Sequence, residues 1–297
     1  MPDRITVLSP AKLNLILRVL GQRPDGYHEL SMLNIAVDLY DRVRISQAGG
    51  DGVKIICDHP GVPAGPTNLA ARAAEAFFTA FPTARTGLTI EIEKRVPVAG
   101  GLGGGSGNAA AVLWGLPRLL GAPVPPGRLL ELAVEIGSDV PFFLYQSPAW
   151  AGGRGEILSP AEGELPGAIV IVSFPFGLST AEVFRGWDDA RNDLTSSYDS
   201  SRVVHPRGLA LMPPPWEWVN DLEQVALLRH REIGSVRDSL LKLGAKAARM
   251  SGSGPTVFGV FSDETSALRA QKTVGLSRGA TALWGRPLRG AVLKETS

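Results

Sequence analysis

The sequence predicts an α+β fold in two units, and three observations carry that reading. Strand-type alternation of apolar and polar residues dominates the chain ahead of a glycine-rich segment, AGGLGGGSGN at residues 99–108; helical spacing dominates after it; and the strand–helix order restarts at about residue 160. A length of 297 residues accommodates two domains or one large one, and 44% hydrophobic with 20% charged residues is the composition of a folded chain.

The elements follow in order. ITVL, KLNLILRVL, DRVRIS, GVKIIC and LTIEIEK alternate with period two and are read as half-buried strands. Residues 68–81, NLAARAAEAFFTAF, set Leu69, Ala73, Ala76, Phe77 and Ala80 on one helical stripe with Asn68 as N-cap. A second helix follows the glycines in GNAAAVLWGLPRLL, with Pro117 expected to end or kink it. The third, PGRLLELAVEIG, begins after Pro125–Pro126 and stops at Gly137, and VPFFLY reads as an apolar strand. From about 160 the reading is a strand AIVIVSF, a helix near STAEVFRGW, an unpatterned stretch through 215, helices over 219–243, a strand TVFGVF, a helix SALRAQKTVG and a final strand. The Gly- and Pro-rich AGGRGEILSPAEGELPG marks the boundary, giving units 1–158 and 159–297.

Composition excludes several classes of partner. Lys plus Arg (30) balances Asp plus Glu (29), and no run of five like charges occurs, so neither nucleic acid nor an anionic membrane surface is an expected partner. The longest apolar run, AIVIVSFPFGL, is short and broken by Pro175, too little for a membrane span, and MPDRITVLSP lacks the basic-then-apolar order of a secretion signal. Cys57 is the single cysteine and is read as a buried, inert thiol; a cytoplasmic setting is the expectation.

Glycines allow positive φ and close backbone approach, so consecutive amides can converge on an anion, and a following helix N-terminus adds positive potential. Strand, glycine loop and helix thus make a phosphate cradle, or else a mobile turn. A Walker A loop fails here, because Gly100 and Gly105 have its spacing but Ser106-Gly107 stand where Lys and Ser or Thr are needed. Gly105-Ser106-Gly107-Asn108-Ala109-Ala110 fits a dinucleotide fingerprint only weakly, lacking a clear βαβ start. In SPAKLNLILRVL, Lys12 and Asn14 share one strand face opposite Leu13, Leu15 and Leu17. That pair suits a solvated face or a site. Asp139, after a helix end, is either a turn-forming Asp or a general base, and spacing alone does not bring it to Lys12.

SPAKLN, RPDGYHEL, VPVAGGLGGGSGNAA, GSDVPFF and ARMSGSGPTVF, in that order, closely resemble the 4-diphosphocytidyl-2-C-methyl-D-erythritol kinases of the GHMP kinase superfamily, and AGGRGEIL, FPFGLSTAEVF and NDLE extend the likeness over nearly the whole chain. The resemblance implies an N-terminal domain like the second domain of ribosomal protein S5, a ferredoxin-like C-terminal domain and an ATP site in the cleft between them. It implies ATP-dependent phosphorylation of the substrate's 2-hydroxyl. Asp139 would be the base and Lys12 its charged partner, holding it ionised and stabilising the transferring group. Asn14, Tyr27, His28, Thr180 and Phe184 would bind the substrate, with cytosine between Tyr27 and Phe184 and His28 hydrogen-bonding it. Asn68, Lys94 and Gly100, Gly101, Leu102, Gly103, Gly104, Gly105, Ser106, Gly107 and Asn108 would bind ATP, and Gly252, Ser253 and Gly254 form the third motif supporting the loop. Taken alone, Asn68 also suits a helix cap and Lys94 a strand-end surface charge.

Mg2+ is expected through the ATP phosphates, with no direct protein ligand. The oligomeric state is not readable. One departure from the family stands out: Gly107 replaces the usual second loop serine, which is expected to remove one hydroxyl contact to a phosphate or metal, slowing the enzyme, while Gly107 still offers its amide. Other GHMP kinases of mevalonate, homoserine or sugars, a non-catalytic nucleotide binder, and a dehydrogenase are the alternatives.

Overall fold

The computed structural model describes residues 3–191 and 210–296. The first unit opens with two long strands, β1 (Arg4–Gln22) and β2 (His28–Ala48), followed by β3 (Val53–Cys57), α1 (Leu69–Ala80), β4 (Gly87–Glu93), α2 (Gly104–Leu120), α3 (Arg128–Ile136), α4 (Val140–Leu144), β5 (Ala149–Gly153) and β6 (Ile157–Glu162). The second comprises β7 (Ala168–Ser173), α5 (Thr180–Arg191), β8 (Ala210–Leu211), α6 (Glu223–Arg229), α7 (Arg231–Lys242), β9 (Ala247–Met250), β10 (Val257–Phe261), α8 (Glu264–Thr273) and β11 (Thr281–Gly285). Two short strands, β12 (Pro287–Leu288) and β13 (Lys294–Thr296), then return to the first sheet.

Among the described residues the first sheet runs β13-β1-β2-β5-β6-β8, with β4 and β12 also on β2 and β3 parallel to β4. The second is antiparallel in the order β11-β7-β10-β9. With α5, α6 and α7 after its first strand and α8 between its last two, that unit has the βαββαβ connectivity expected of a ferredoxin-like domain. Alternation decides its layers. Ile169, Ile171, Phe258 and Val260 face β1 and β2, packing on Leu13, Leu15, Leu33 and Ile35. Val170, Val172 and Val257 face the opposite way, toward Leu240 of α7 and Ala267 of α8. Burying each of these larger side chains stabilises the fold by about 1.5–3 kcal/mol. A further core holds α1 and α2 against the first sheet through Phe77, Phe78, Leu113 and Leu116.

Several expectations change. ITVL and KLNLILRVL belong to one strand, bent by register shifts at Pro10/Ala11 and Asn14/Ile16. VPFFL is a helix rather than a strand: Pro141 sits in its first turn, where no donor is needed, and Val140, Phe142 and Phe143 are all buried. Pro117 lies inside the last turn of α2, which continues to Leu120 and closes on Gly121 at φ +59°. The boundary at 158/159 falls within β6, and the sheets part after it; the end of β5 and all of β6 lie in the Gly- and Pro-rich stretch that marks it. Cys57 is half-buried rather than buried. Much of the unpatterned stretch before 215 lies outside the described residues. No helix among the described residues is long and apolar enough to cross a membrane.

Candidate active site

Lys12 and Asn14 sit mid-way along β1, where the strand is covered on both faces. Lys12 is only 4% exposed, and its Nζ donates to Asp139 Oδ1 at 3.0 Å and to Asn14 Oδ1 at 3.1 Å. Asn14 Nδ2 in turn donates to Asn34 Oδ1 at 2.7 Å, across β2. A buried ammonium is tolerated only with such partners. Asp139 precedes α4 but makes no side-chain capping bond, and it is 34% exposed. Its carboxylate is therefore not consumed by the turn, and its ion pair joins residues 127 positions apart.

The glycine segment joins this pair to α2. Gly101 and Gly103 take φ +75° and +67°, the second as the N-cap of α2. Leu102 is buried, and its carbonyl accepts from the Lys12 amide at 2.9 Å, which ties the loop to β1. Ser251, just ahead of the third motif, donates through Oγ to the Gly101 carbonyl at 3.1 Å and accepts from the Asn14 amide at 3.3 Å. Asn220 fixes that motif from beneath, bonding the Met250 and Gly252 carbonyls at 2.7 and 2.8 Å. Of the motif's own residues, Gly252 and Gly254 have positive φ, and Ser253 Oγ meets Thr180 Oγ1 at 2.9 Å. The glycines serve packing as much as mobility. An added Cβ would strike Thr256 at Gly100, the Ser251 carbonyl at Gly101, Lys12 and Phe143 at Gly103, and Lys94 at Gly104; at Gly105 it would make ordinary contact.

Gly107 reverses the expectation attached to it. It lies within α2, buried, with its amide already given to the Gly103 carbonyl at 2.8 Å, so it has no amide to offer a phosphate. A side chain there would point into Ser9 Oγ and the Phe143 ring, away from the cavities, so no hydroxyl contact to a phosphate is lost by its being glycine. Gly107→Ser is accordingly expected to give no gain in kcat and to destabilise the fold by about 1–3 kcal/mol, read by urea denaturation. Ser9→Gly in the same chain should recover most of that loss; a faster Gly107→Ser single variant would disprove this account.

Two cavities meet at the loop. The larger, about 870 Å³, is lined by Lys12, Asn14, Asp139, Tyr27, His28 and Phe184. The smaller, about 510 Å³, is lined by Asn68, Lys94, Asn108 and the loop from Gly100 through Gly105. Gly101, Gly103, Ser106 and Thr180 wall both. At the junction stand the first amides of α2, which have no intrahelical partner and carry the positive end of the helix dipole. Asn108 is buried on the smaller cavity's wall with Oδ1 unpartnered. Asn68 caps α1 through Oδ1, accepting from Ala70 at 2.8 Å, and also borders that cavity. Lys94 is a buried ion-pair partner of Asp41 and no surface charge.

At the far end of the larger cavity, His28 stacks on Phe184 with centroids 4.6 Å apart, and Tyr27, 56% exposed, carries the Arg154 guanidinium at 4.6 Å. The two rings expected to enclose a base thus both line the cavity, each with another partner on one face. Asp41, Asp188 and Ser251 escaped the sequence reading. Asp41 has a signal in hindsight: in DRVRIS it falls in phase with the buried Val43 and Ile45, where a carboxylate is out of place, and it accepts from the amides of Arg95 and Val96 at 2.8 Å.

Residues 68–147 match the family described as GHMP kinases N terminal domain, and residues 215–278 match GHMP kinases C terminal. The 4-diphosphocytidyl-2-C-methyl-D-erythritol kinase of Syntrophotalea carbinolica is 45% identical over 95% of this chain and 98% of its own, and that of Geobacter sulfurreducens is 41% identical over 90% and 93%. A crystal structure of 4-(cytidine 5'-diphospho)-2C-methyl-D-erythritol kinase superposes with a TM-score of 0.74 at 33% identity, covering 95% of this chain and 98% of that one. Homoserine kinase from Cytophaga hutchinsonii shares the fold, with a TM-score of 0.70 at 19% identity over 100% of this chain and 98% of its own. Near-complete coverage at these identities decides the matter: the chain belongs to the 4-diphosphocytidyl-2-C-methyl-D-erythritol kinase family of the GHMP kinases.

Proposed function

We propose that the chain transfers the γ-phosphoryl group of ATP to the 2-hydroxyl of 4-diphosphocytidyl-2-C-methyl-D-erythritol, giving the 2-phosphate and ADP, in non-mevalonate isoprenoid precursor synthesis. The observation that carries this reading is the pair of cavities sharing one glycine loop, with the Lys12–Asp139 pair on the acceptor side. A kinase needs two substrates held end to end with a cationic group and a proton acceptor at the join.

In this reading the smaller cavity takes ATP, with Asn68, Lys94 and Asn108 near its nucleoside and phosphates. The first amides of α2 and Ser106 hold phosphate oxygens at the junction. Asp139 accepts the proton of the attacking hydroxyl, and Lys12, held by Asn14, offers charge to the transferring group. Asn14 and Thr180 line the acceptor's path, and Tyr27, His28 and Phe184 take the cytosine. No group of three or more His, Cys, Asp or Glu that could cage an ion occurs among the described residues. A Mg2+ ion would accordingly be carried by the ATP phosphates themselves, with no direct protein ligand. Such an ion would neutralise β- and γ-phosphate charge. Both substrates are charged and water-soluble, in keeping with a cytoplasmic setting.

The test is ADP release with Mg-ATP and the full substrate, run beside the same substrate lacking its cytidine phosphate. Turnover on the full substrate alone is expected. Equal turnover on both would replace this reading with another GHMP kinase activity, and ATP binding without ADP release would make the chain a non-catalytic relative.

A further inference from the structure

His28 is held by three residues of α5, and the grip is directional. Phe184 stacks on its ring at 4.6 Å and an interplanar angle of 24°, Trp187 meets it edge-on at 5.8 Å and 89°, and Asp188 Oδ1 lies 2.8 Å from Nε2. The imidazole is 9% exposed, so it neither spins nor trades these partners for water freely. A carboxylate can only accept, so Nε2 must carry a proton. In the neutral ring this leaves Nδ1 as a bare lone pair, and among the described residues nothing donates to it. Both His28 and Asp188 line the larger cavity.

We propose that Asp188 is the positioning residue for base selection: by holding the proton on Nε2 it presents Nδ1 of His28 as an acceptor, which matches the exocyclic amino group of cytosine and meets the carbonyl of uracil lone pair to lone pair. The inference rests on the reading of the larger cavity as the cytidine site. It assigns a function to the one carboxylate of α5 that reaches across to β2, and it predicts discrimination by hydrogen-bond polarity rather than by size, the stronger kind because a mismatch leaves a buried polar group unpaired.

Two measurements test it. In the first, ¹⁵N-histidine labelling of the whole chain, with His28→Gln assigning one of the four histidines, reports the tautomer without any substrate. A pyridine-like Nδ1 and a pyrrole-like Nε2 are expected. The reverse, or a doubly protonated ring, overturns the proposal. In the second, kcat/KM is compared for the cytidine substrate and its uridine counterpart. The parent chain should favour cytidine by at least about tenfold. Asp188→Ala should bring that ratio close to one, mainly through KM, with kcat on saturating cytidine substrate retained. Asp188→Asn, whose amide oxygen can still accept from Nε2, should keep most of it. An unchanged ratio in Asp188→Ala, equal losses on both bases, or failure of Asp188→Asn to rescue would each overturn the assignment. If the parent chain phosphorylates neither substrate, the proposed activity falls, and the tautomer measurement still decides the role of Asp188.

Discussion

Asp139→Asn is expected to lower kcat by about 10²–10⁴-fold, the usual contribution of a positioned proton acceptor, with ATP affinity unchanged within about twofold. The substitution keeps the shape of the side chain. Lys12 Nζ, 3.0 Å from Oδ1, can still donate to the amide oxygen, so the buried ammonium is not abandoned and the fold should survive. What disappears is the proton acceptor, since the Asp139 side chain caps no helix and supports nothing else in α4. Steady-state kinetics beside calorimetric ATP titration separates the two effects. Turnover within threefold of the parent chain would remove Asp139 from the reaction and leave the ion pair a structural one.

The second large effect is expected at Gly101→Ala. Its φ of +75° strains any residue with a Cβ, at about 1–2 kcal/mol, and the new methyl would lie against the Ser251 carbonyl oxygen, a backbone atom that accepts from the Gly254 amide at 3.0 Å. Overpacking of that kind adds about 1–3 kcal/mol. Relief requires the loop to lift away from the third motif, breaking the Ser251-to-Gly101 hydrogen bond and moving the entry to α2. Urea denaturation should show a loss of about 2–5 kcal/mol, and ATP binding should weaken more than tenfold. Gly105→Ala is the stability control, because a Cβ there meets only Leu69 Cδ1 at 3.6 Å. If both variants melt like the parent chain, the loop is not wedged against the third motif.

How much of this was legible in the sequence depended on exposure. β4, the first residues of β1 and the end of β2 alternate because one face is the more exposed, and mid-β1 alternates although covered on both faces because Lys12 and Asn14 stand in a buried polar network. The start of β2 hid itself: Leu30, Met32, Leu33, Ile35 and Ala36 are all buried, since layers cover both faces, and the period of two vanishes. VPFFL failed for a related reason, being too short and too uniformly apolar for its period to declare itself. In the site, glycine spacing marked the loop and strand geometry put Lys12 beside Asn14. The closure of Asp139 onto Lys12 and of Asp188 onto His28 depends on tertiary paths that no local pattern encodes. Gly107 shows the opposite limit: its identity was plain, but its meaning lay in the hydroxyl of Ser9 opposite.

The pairing of β1 with β13 sets a timetable for synthesis on the ribosome. Thr6, Val7 and Leu8 find their partners in Thr296, Glu295 and Lys294, so this edge of the first sheet lies open while nearly all the intervening chain is being translated. An uncovered edge carrying buried residues such as Val7 is a template for intermolecular pairing. Slow elongation through the second half should therefore raise the share of nascent chains captured by chaperones, and the sheet that bears Lys12 is completed only as β13 emerges.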